Sequence, residues 1–196
     1  MPKLAFLRQF VTHPGDIGAM FETSQVVARR VAELAGVRDA KTVVEWGAGT
    51  GSITGAIAKA LPQSGQLLAF EINTAFCRLL RKRFPDIRVV QDSALQTKKY
   101  LREAGVGQCD AIISGLPFTV LDEGTQNALL DAIMESLRPG GVFVTFGYVQ
   151  ASMLPGGRKI RAKLQERFKV VEKTSTIWRN IPPVFAYRVF NPPAAA

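Results

Sequence analysis

Apolar and polar positions along this chain switch between unbroken apolar runs of strand length and stretches of helical period, and the order of the switches predicts an α/β fold. Short apolar runs stand at 43–44, 66–70, 87–91, 111–113 and 142–146. Runs of this length and apolarity suit strands buried on both faces. Between them, the spacing predicts a helix capped by Ser24 that runs through Val26, Val27, Val31 and Leu34 and stops at Gly36, then helices over 51–61, 74–84, 94–104 and 124–137. Arg138-Pro139-Gly140-Gly141 predicts a turn into 142–146. A basic helix near 158–168 precedes two late strands, 169–178 and 184–190, and Asn180-Ile181-Pro182-Pro183 between them predicts an antiparallel hairpin. The sum is a seven-stranded, mostly parallel sheet with an antiparallel C-terminal strand and helices on both faces, followed by a short tail at 191–196.

Candidate chemistry collects at the predicted C-terminal ends of the strands. Val43-Val44-Glu45-Trp46-Gly47-Ala48-Gly49-Thr50-Gly51 ends a strand run in an acid and then sets three glycines at alternating positions. Such glycines let the backbone approach a ligand and take positive φ, and the helix that follows aims free N–H groups at an anion. The dinucleotide spacing G-x-G-x-x-G is not met, because Ser52 occupies its last position. Glu71 closes the second strand about 20 residues past the glycines, where a nucleotide fold places the acid that holds ribose hydroxyls. Asp92-Ser93-Ala94 closes the third strand and Ser114-Gly115-Leu116-Pro117-Phe118 the fourth. Singly, each polar residue also reads as an ordinary strand-end or capping residue. Together they mark the edge along which open α/β sheets bind ligands.

With 196 residues and 47% hydrophobic content, the chain suits one domain with a sizeable core. No apolar run reaches the roughly 20 residues of a membrane span, and Arg8 interrupts the short apolar start, so no secretory signal is expected. Cys77 and Cys109 lack metal-type spacing and read as buried thiols in a reducing cytoplasm, while the single His13 argues against a histidine-based metal site.

The net charge of +9 matters mainly for where it falls: residues 151–196 hold nine Lys or Arg against Glu166 and Glu172. Arg158, Lys159, Arg161, Lys163, Arg167 and Lys169 would make one helix face strongly positive, suited to RNA, to an anionic bilayer, or simply to solvent. A second cluster, Arg78 to Arg83, shares its helix with Phe76, Leu79, Leu80 and Phe84, which are expected to face the core, and reads as a solvated face. At the N-terminus, Lys3, Leu4, Phe6, Leu7, Arg8, Phe10 and Val11 form a wide apolar arc with two cations, the composition of a helix lying in a bilayer interface. A helix that covers the ligand cleft is the competing assignment. The expected organisation is therefore an N-terminal segment at 1–23, a catalytic domain at 24–190 and the tail.

The acid before G-x-G-x-G resembles motif I of the Rossmann-like S-adenosylmethionine methyltransferases. Further motifs resemble a narrower family: Pro14 and Ile17-Gly18-Ala19 before Thr23-Ser24, Ser114-Gly115-Leu116-Pro117, Phe146-Gly147-Tyr148, and Trp178-Arg179-Asn180-Ile181-Pro182-Pro183 are similar to those of the bacterial phospholipid N-methyltransferases. The departure is Phe21-Glu22, where that family is expected to carry a smaller residue and a proline. The resemblance implies S-adenosylmethionine-dependent methylation of the phosphatidylethanolamine headgroup toward phosphatidylcholine. It also implies a cytoplasmic enzyme peripheral to the inner membrane, with a phospholipid substrate, an anionic membrane surface as partner, and neither nucleic acid nor protein partner.

By the same resemblance Glu45, Gly47, Gly49 and Gly51 hold the methionine end of the cofactor, Glu71 and Ile72 the ribose, and Asp92, Ser93 and Ala94 the adenine. Ser114, Gly115, Leu116 and Pro117 line the reaction centre, with Ser114 or Tyr148 as catalytic candidates. Arg179, Asn180 and Tyr148 are assigned to the lipid phosphate, a guanidinium being able to bind two oxygens at once. Phe118, Tyr148 and Trp178 offer π-faces to methylated ammonium groups, although each also suits the core, Trp178 most of all because it lies in a predicted strand. The alternatives are methylation of another amine lipid and ribosomal RNA adenine N6-methylation. The RNA enzymes carry Asn before Leu/Ile-Pro in the fourth-strand motif, where this chain has Gly115.

Overall fold

Among the residues that the computed structural model describes, 23–153, 155–168 and 170–191, seven strands form one sheet. They are β1 (Thr42–Trp46), β2 (Gln66–Phe70), β3 (Arg88–Val90), β4 (Cys109–Ser114), β5 (Leu137–Tyr148), β6 (Val170–Lys173) and β7 (Val184–Phe190). Their order across the sheet is β3-β2-β1-β4-β5-β7-β6. The pairs from β3 through β5 are parallel, and β7 runs antiparallel to both β5 and β6, as the late hairpin predicted. Strand order reverses at β1, whose neighbours are β2 and β4, so a crevice opens beyond the C-terminal ends of β1 and β4.

The sheet is covered on both faces because its apolar residues come in adjacent pairs that a period of two sends to opposite sides. Val44, Leu68, Ile112, Phe143 and Tyr187 pack in one cluster with Leu130 and Ile133 of α5 (Glu123–Ser136) and Leu164 of α7 (Pro155–Arg167). Val43, Leu67, Ile113, Val144 and Ala186 pack in the other with Val27 and Val31 of α1 (Gln25–Leu34) and Ile53 and Ile57 of α2 (Ser52–Ala60). Ser24 caps α1 by accepting from the Val27 N–H at 3.3 Å, and Gly36 leaves the helix at φ 66°. The remaining helices are α3 (Thr74–Arg83), α4 (Thr97–Glu103) and the short α6 (Val149–Met153).

Three expectations are revised. The helix over 94–104 divides into a 3-10 turn, Ala94–Gln96, and α4, because Ser93 caps the turn and the Thr97 hydroxyl donates to the Ala94 carbonyl at 2.6 Å. Leu79 is exposed on α3, while Cys77 and Leu80 take the buried face. The expected turn at Arg138-Pro139-Gly140-Gly141 lies inside β5: Cys109 pairs with Leu137 but Ala111 with Val142, so four residues bulge opposite Asp110. Asp110 is the clamp. Its Oδ1 accepts from Arg138 Nε at 2.6 Å, and its Oδ2 accepts from the backbone N–H groups of Lys41 and Thr42 at 2.8 Å each.

Partial burial works against ionisation of Asp110, yet the Arg138 guanidinium and the two N–H donors win and hold its carboxyl below the usual carboxylate range. A depressed folded-state pKa contributes stability above the unfolded pKa, and that stability is lost as pH falls through the folded value. Asp110→Asn is therefore expected to lower stability at pH 7 by roughly 1–2 kcal/mol for a half-screened charged hydrogen bond, seen as a lower melting temperature, and to converge with the parent in acid. Thermal melts across pH 2–8 check both. Cys77 and Cys109 are buried free thiols as expected, both pushed up by burial.

Candidate functional site

The loop after β1 turns with Gly47, Gly49 and Gly51 at φ 72°, 54° and 91°. Its geometry assigns different work to the last two. A Cβ on Gly49 would meet nothing within 4 Å, so that position faces open space at the crevice. A Cβ on Gly51 would fall 2.7 Å from Phe84 Cε2, so that glycine seats the start of α2 against α3. The Gly47 and Ala48 N–H groups donate to the Phe70 carbonyl, which stitches the loop to the end of β2.

Glu45, at the end of β1, is wholly buried. Its Oε2 accepts from the Thr54 hydroxyl at 2.6 Å, whereas Oε1 has no hydrogen-bond partner among the described residues. Burial first, opposed by Thr54 and assisted by the nearby Glu71 charge, raises its pKa to about 7. A buried carboxylate oxygen without a partner is a costly feature for a fold and a useful one for a cation. The expected cofactor, with its ammonium and sulfonium charges, fits that orphaned oxygen and the open side of Gly49.

Glu71 bridges two loops: its Oε2 accepts from the Gly49 N–H at 2.8 Å, and its Oε1 from those of Ile72 and Asn73 at 2.8 Å each. A carboxylate has about four acceptor sites, so capacity remains for a hydroxyl. Asp92, after β3, is aimed by a residue the sequence did not single out: Tyr100 on α4 donates its phenol to Oδ2 at 3.0 Å, while the Ser93 N–H takes Oδ1 at 2.7 Å. Ser93 also caps the following turn, and Ala94 is buried there. Trp46, fully buried at the end of β1, donates its indole N–H to Thr97 Oγ1 at 2.8 Å and so ties β1 to the same turn.

The loop after β4 closes against the glycine loop. The Gly115 N–H donates to the Trp46 carbonyl at 2.8 Å, and a Cβ at 115 would sit 3.1 Å from the Gly47 carbonyl oxygen. Glycine at this place thus permits two loops to touch. Ser114 is buried, and its hydroxyl oxygen accepts from the Leu116 N–H at 3.2 Å, so it braces its own turn. Leu116 lies over Gly47, 3.0 Å from where a Cβ would stand, and Pro117 leads into a 3-10 turn held by Gln126. Gln126, also missed, is buried on α5 and donates to the carbonyls of Phe118 and Leu121 at 2.7 and 3.0 Å. Its signal in the sequence was a lone amide on the buried face of an apolar helix.

On the substrate side the structure redistributes the expected residues. Phe118 is a correction: it is buried against Phe143 with ring centroids 6.1 Å apart, so its ring serves the core. Asn180 is another, because its amide is spent internally: Oδ1 accepts from the Ser24 N–H at 3.0 Å and Nδ2 donates to the Pro182 carbonyl at 2.8 Å. Trp178, expected to favour the core, is 75% exposed. Tyr148 stands half-exposed at the end of β5, paired with Val184, and burial pushes its phenol above its ordinary value. It is thus neutral near pH 7 and offers a donor or a π-face, not a base. Arg179 is exposed and makes no ion pair among the described residues. The basic helix α7 is not one free positive face: Lys163 pairs with Glu123 at 3.2 Å and Arg167 with Asp131, both on α5. The residues assigned to membrane contact, Lys3, Leu4, Phe6, Leu7, Arg8, Phe10 and Val11, lie outside the described residues, as does most of segment 1–23. Among the described residues no group of acids, histidines or cysteines could hold a metal, and no helix is long and apolar enough to cross a membrane.

Comparison with known proteins adds the following. Residues 43–141 match the methyltransferase domain family. An ornithine lipid N-methyltransferase from Singulisphaera acidiphila is 30% identical over 185 residues, covering 93% of this chain and 92% of that protein. A ribosomal RNA small subunit methyltransferase A from Acidobacterium capsulatum is 29% identical over 114 residues, 57% of this chain but 39% of that protein. Among solved structures, the O-methyltransferase of Bacillus cereus in complex with S-adenosylhomocysteine superposes with a TM-score of 0.71 at 15% identity, covering 97% of this chain and 91% of that one. The O-methyltransferase TomG of Streptomyces achromogenes, in complex with S-adenosylmethionine, gives 0.65 at 21% identity, covering 94% and 89%.

Proposed function

Since this chain belongs to the methyltransferase domain family and is an S-adenosylmethionine-dependent methyltransferase, we propose that it methylates the primary amine of a membrane lipid headgroup at the cytoplasmic membrane surface. Phosphatidylethanolamine is the first candidate and an ornithine lipid the second. The observation that carries the lipid assignment is the match with the ornithine lipid enzyme over nearly the whole of both chains. The RNA enzyme matches over a minority of its own length. Both candidate lipids present an amine beside an anion, phosphate in one and carboxylate in the other, and the exposed Arg179 guanidinium can take either in bidentate fashion.

S-adenosylmethionine supplies, when bound, a methyl group already activated on a sulfonium, which leaves the protein the tasks of alignment and exclusion of water. Glu45 offers a buried acceptor to the cationic end, Glu71 receives hydroxyls, and Asp92, fixed by Tyr100, accepts from an exocyclic amine. Gln126 and the Gly115 N–H hold the loop after β4 at a set distance from the glycine loop, so the wall on which the acceptor amine rests is rigid. Arg179 anchors the headgroup anion, and Tyr148 donates to it or faces the ammonium as neutral phenol.

Methyl transfer from labelled cofactor is measured with vesicles of phosphatidylethanolamine, vesicles of ornithine lipid, and ribosomal RNA as parallel acceptors. Label in either lipid and none in RNA is expected, with the two vesicle types deciding the headgroup; label in RNA alone overturns the lipid assignment. Arg179→Ala is expected to cut lipid turnover by about 10- to 100-fold, the worth of charged hydrogen bonds of roughly 1.5–3 kcal/mol, with cofactor affinity intact. Loss of cofactor affinity in that variant would make Arg179 a structural residue.

A further inference from the structure

The loop between β6 and β7 is built to hold two large apolar side chains in solvent. Ile177 and Val184 bridge its base, Asn180 at its centre is buried and bonded to the Ser24 N–H and the Pro182 carbonyl, and the Val149 N–H donates to the Pro183 carbonyl at 3.0 Å. On either side of Asn180 the chain turns outward, leaving Trp178 75% and Ile181 81% exposed, the highest values for large apolar residues among those described. Among the described residues, five of the seven exposed large apolar side chains stand on this edge of the sheet: Leu95 after β3, Val120 after β4, Tyr148 at the end of β5, and Trp178 and Ile181 before β7. The same edge carries the glycine loop and the cleft mouth. Apolar exposure gathered along the edge that carries a ligand crevice marks a contact surface.

We propose that this rim, led by Trp178 and Ile181, inserts into the headgroup region of an anionic lipid bilayer and seats the cleft mouth against the surface that carries the amine. It deepens the lipid assignment above and rests on it. The chemistry selects a bilayer over a protein partner. Arg179 stands between the two apolar side chains with no ion pair among the described residues, and the chain carries a net charge of +9, both complementary to anionic lipid. Tryptophan with one apolar and one donor end suits the interface between acyl chains and headgroups. The anchor of the loop, Ser24 N–H to Asn180, also ties the start of α1 to the rim.

The full chain itself carries the probe. It has two tryptophans, and Trp46 is fully buried, so a vesicle-induced blue shift, and quenching by lipids brominated in their acyl chains, report Trp178. In vesicles of phosphatidylethanolamine with phosphatidylglycerol, quenching of the parent is expected, with none in Trp178→Phe. Ile181→Ser is expected to weaken vesicle binding roughly tenfold, the worth of a partly buried isoleucine, with melting temperature and cofactor affinity unchanged. Methylated lipid without acyl-chain quenching of the parent would overturn the insertion while leaving the lipid substrate standing. Quenching without lipid methylation would uphold the rim and remove the substrate. Self-association of the parent that Ile181→Ser abolishes, with no quenching, would identify the rim as a contact between copies and overturn the proposal.

Discussion

Glu45→Gln is expected to separate stability from cofactor binding, raising the first above neutral pH and removing most of the second. The glutamate is wholly buried and its pKa stands at about 7 against an ordinary 4.5. A folded-state pKa above the unfolded one means that the stabilising contribution is complete below the unfolded value and is lost as pH rises through the folded value. Between pH 4.5 and about 7 the cofactor-free protein therefore loses stability, and at about 1.4 kcal/mol per unit the loss approaches about 3 kcal/mol. Glutamine keeps the shape and an acceptor for the Thr54 hydroxyl without the charge, so the variant is expected to melt higher than the parent above pH 7 and alike near pH 4. The buried charge is proposed to pair with the cationic cofactor, and removing one member of a buried charge pair costs 2–5 kcal/mol, about a hundredfold in affinity. Calorimetry of S-adenosylmethionine binding checks this in two buffers of different ionisation enthalpy. The parent releases a proton on binding near pH 6–7, and the glutamine variant releases none. Equal affinity in parent and variant would remove Glu45 from the site.

The cofactor half of the candidate site could be named from the sequence because its residues sit where local pattern is strongest. Strand runs end at fixed places, glycines mark a loop with positive φ, and the acids stand at strand ends: Glu45 next to last in β1, Glu71 one residue past β2 and Asp92 two past β3. What the sequence did not show were the residues that aim those acids. Thr54 bonds Glu45 and Tyr100 bonds Asp92 across elements, and each looks locally like an unremarkable helix residue; Thr97, which holds Trp46, and Gln126, which holds the loop after β4, brace the loops instead. The substrate half was less legible for a different reason. Position in a strand-like run suggested burial for Trp178, but the β6–β7 connection leaves the ladder after Thr174, whose N–H donates to the Ala186 carbonyl, and rejoins it at the Ile177–Val184 bridge. Which side chains then point outward was settled by Asn180, whose two hydrogen bonds turn it in and its neighbours out. A polar residue expected to touch substrate thus proved to be the fastening of the loop, and an aromatic expected in the core proved to be its tip.

Gly51→Ala and Gly49→Ala are expected to fail for different reasons, though both change a glycine with positive φ in the same loop. At Gly51 two costs add. The left-handed backbone at φ 91° costs an L-residue about 1–2 kcal/mol, and the new methyl would lie 2.7 Å from Phe84 Cε2 and 2.9 Å from Leu80 Cδ2. Leu80 is fully buried, so it has nowhere to withdraw, and overpacking of this kind costs roughly 1–3 kcal/mol. The sum, about 2–5 kcal/mol, is expected to lower the melting temperature by roughly 5–15 °C for a domain of this size. It also moves the start of α2, which follows the glycine loop directly, so cofactor affinity is expected to fall with stability. At Gly49 the backbone cost remains but the methyl meets no atom within 4 Å. The proposed cofactor site lies on that open side, so Gly49→Ala is expected to lose cofactor affinity with a melting temperature only a few degrees below the parent. Thermal melts of the three proteins with and without S-adenosylmethionine decide the matter. Ligand-induced stabilisation is retained by the parent, small in Gly49→Ala, and absent from a Gly51→Ala protein that already melts low. A Gly51→Ala protein that melts with the parent would mean that α2 and α3 do not pack through this glycine. Full cofactor stabilisation of Gly49→Ala would place the ligand elsewhere than over the loop.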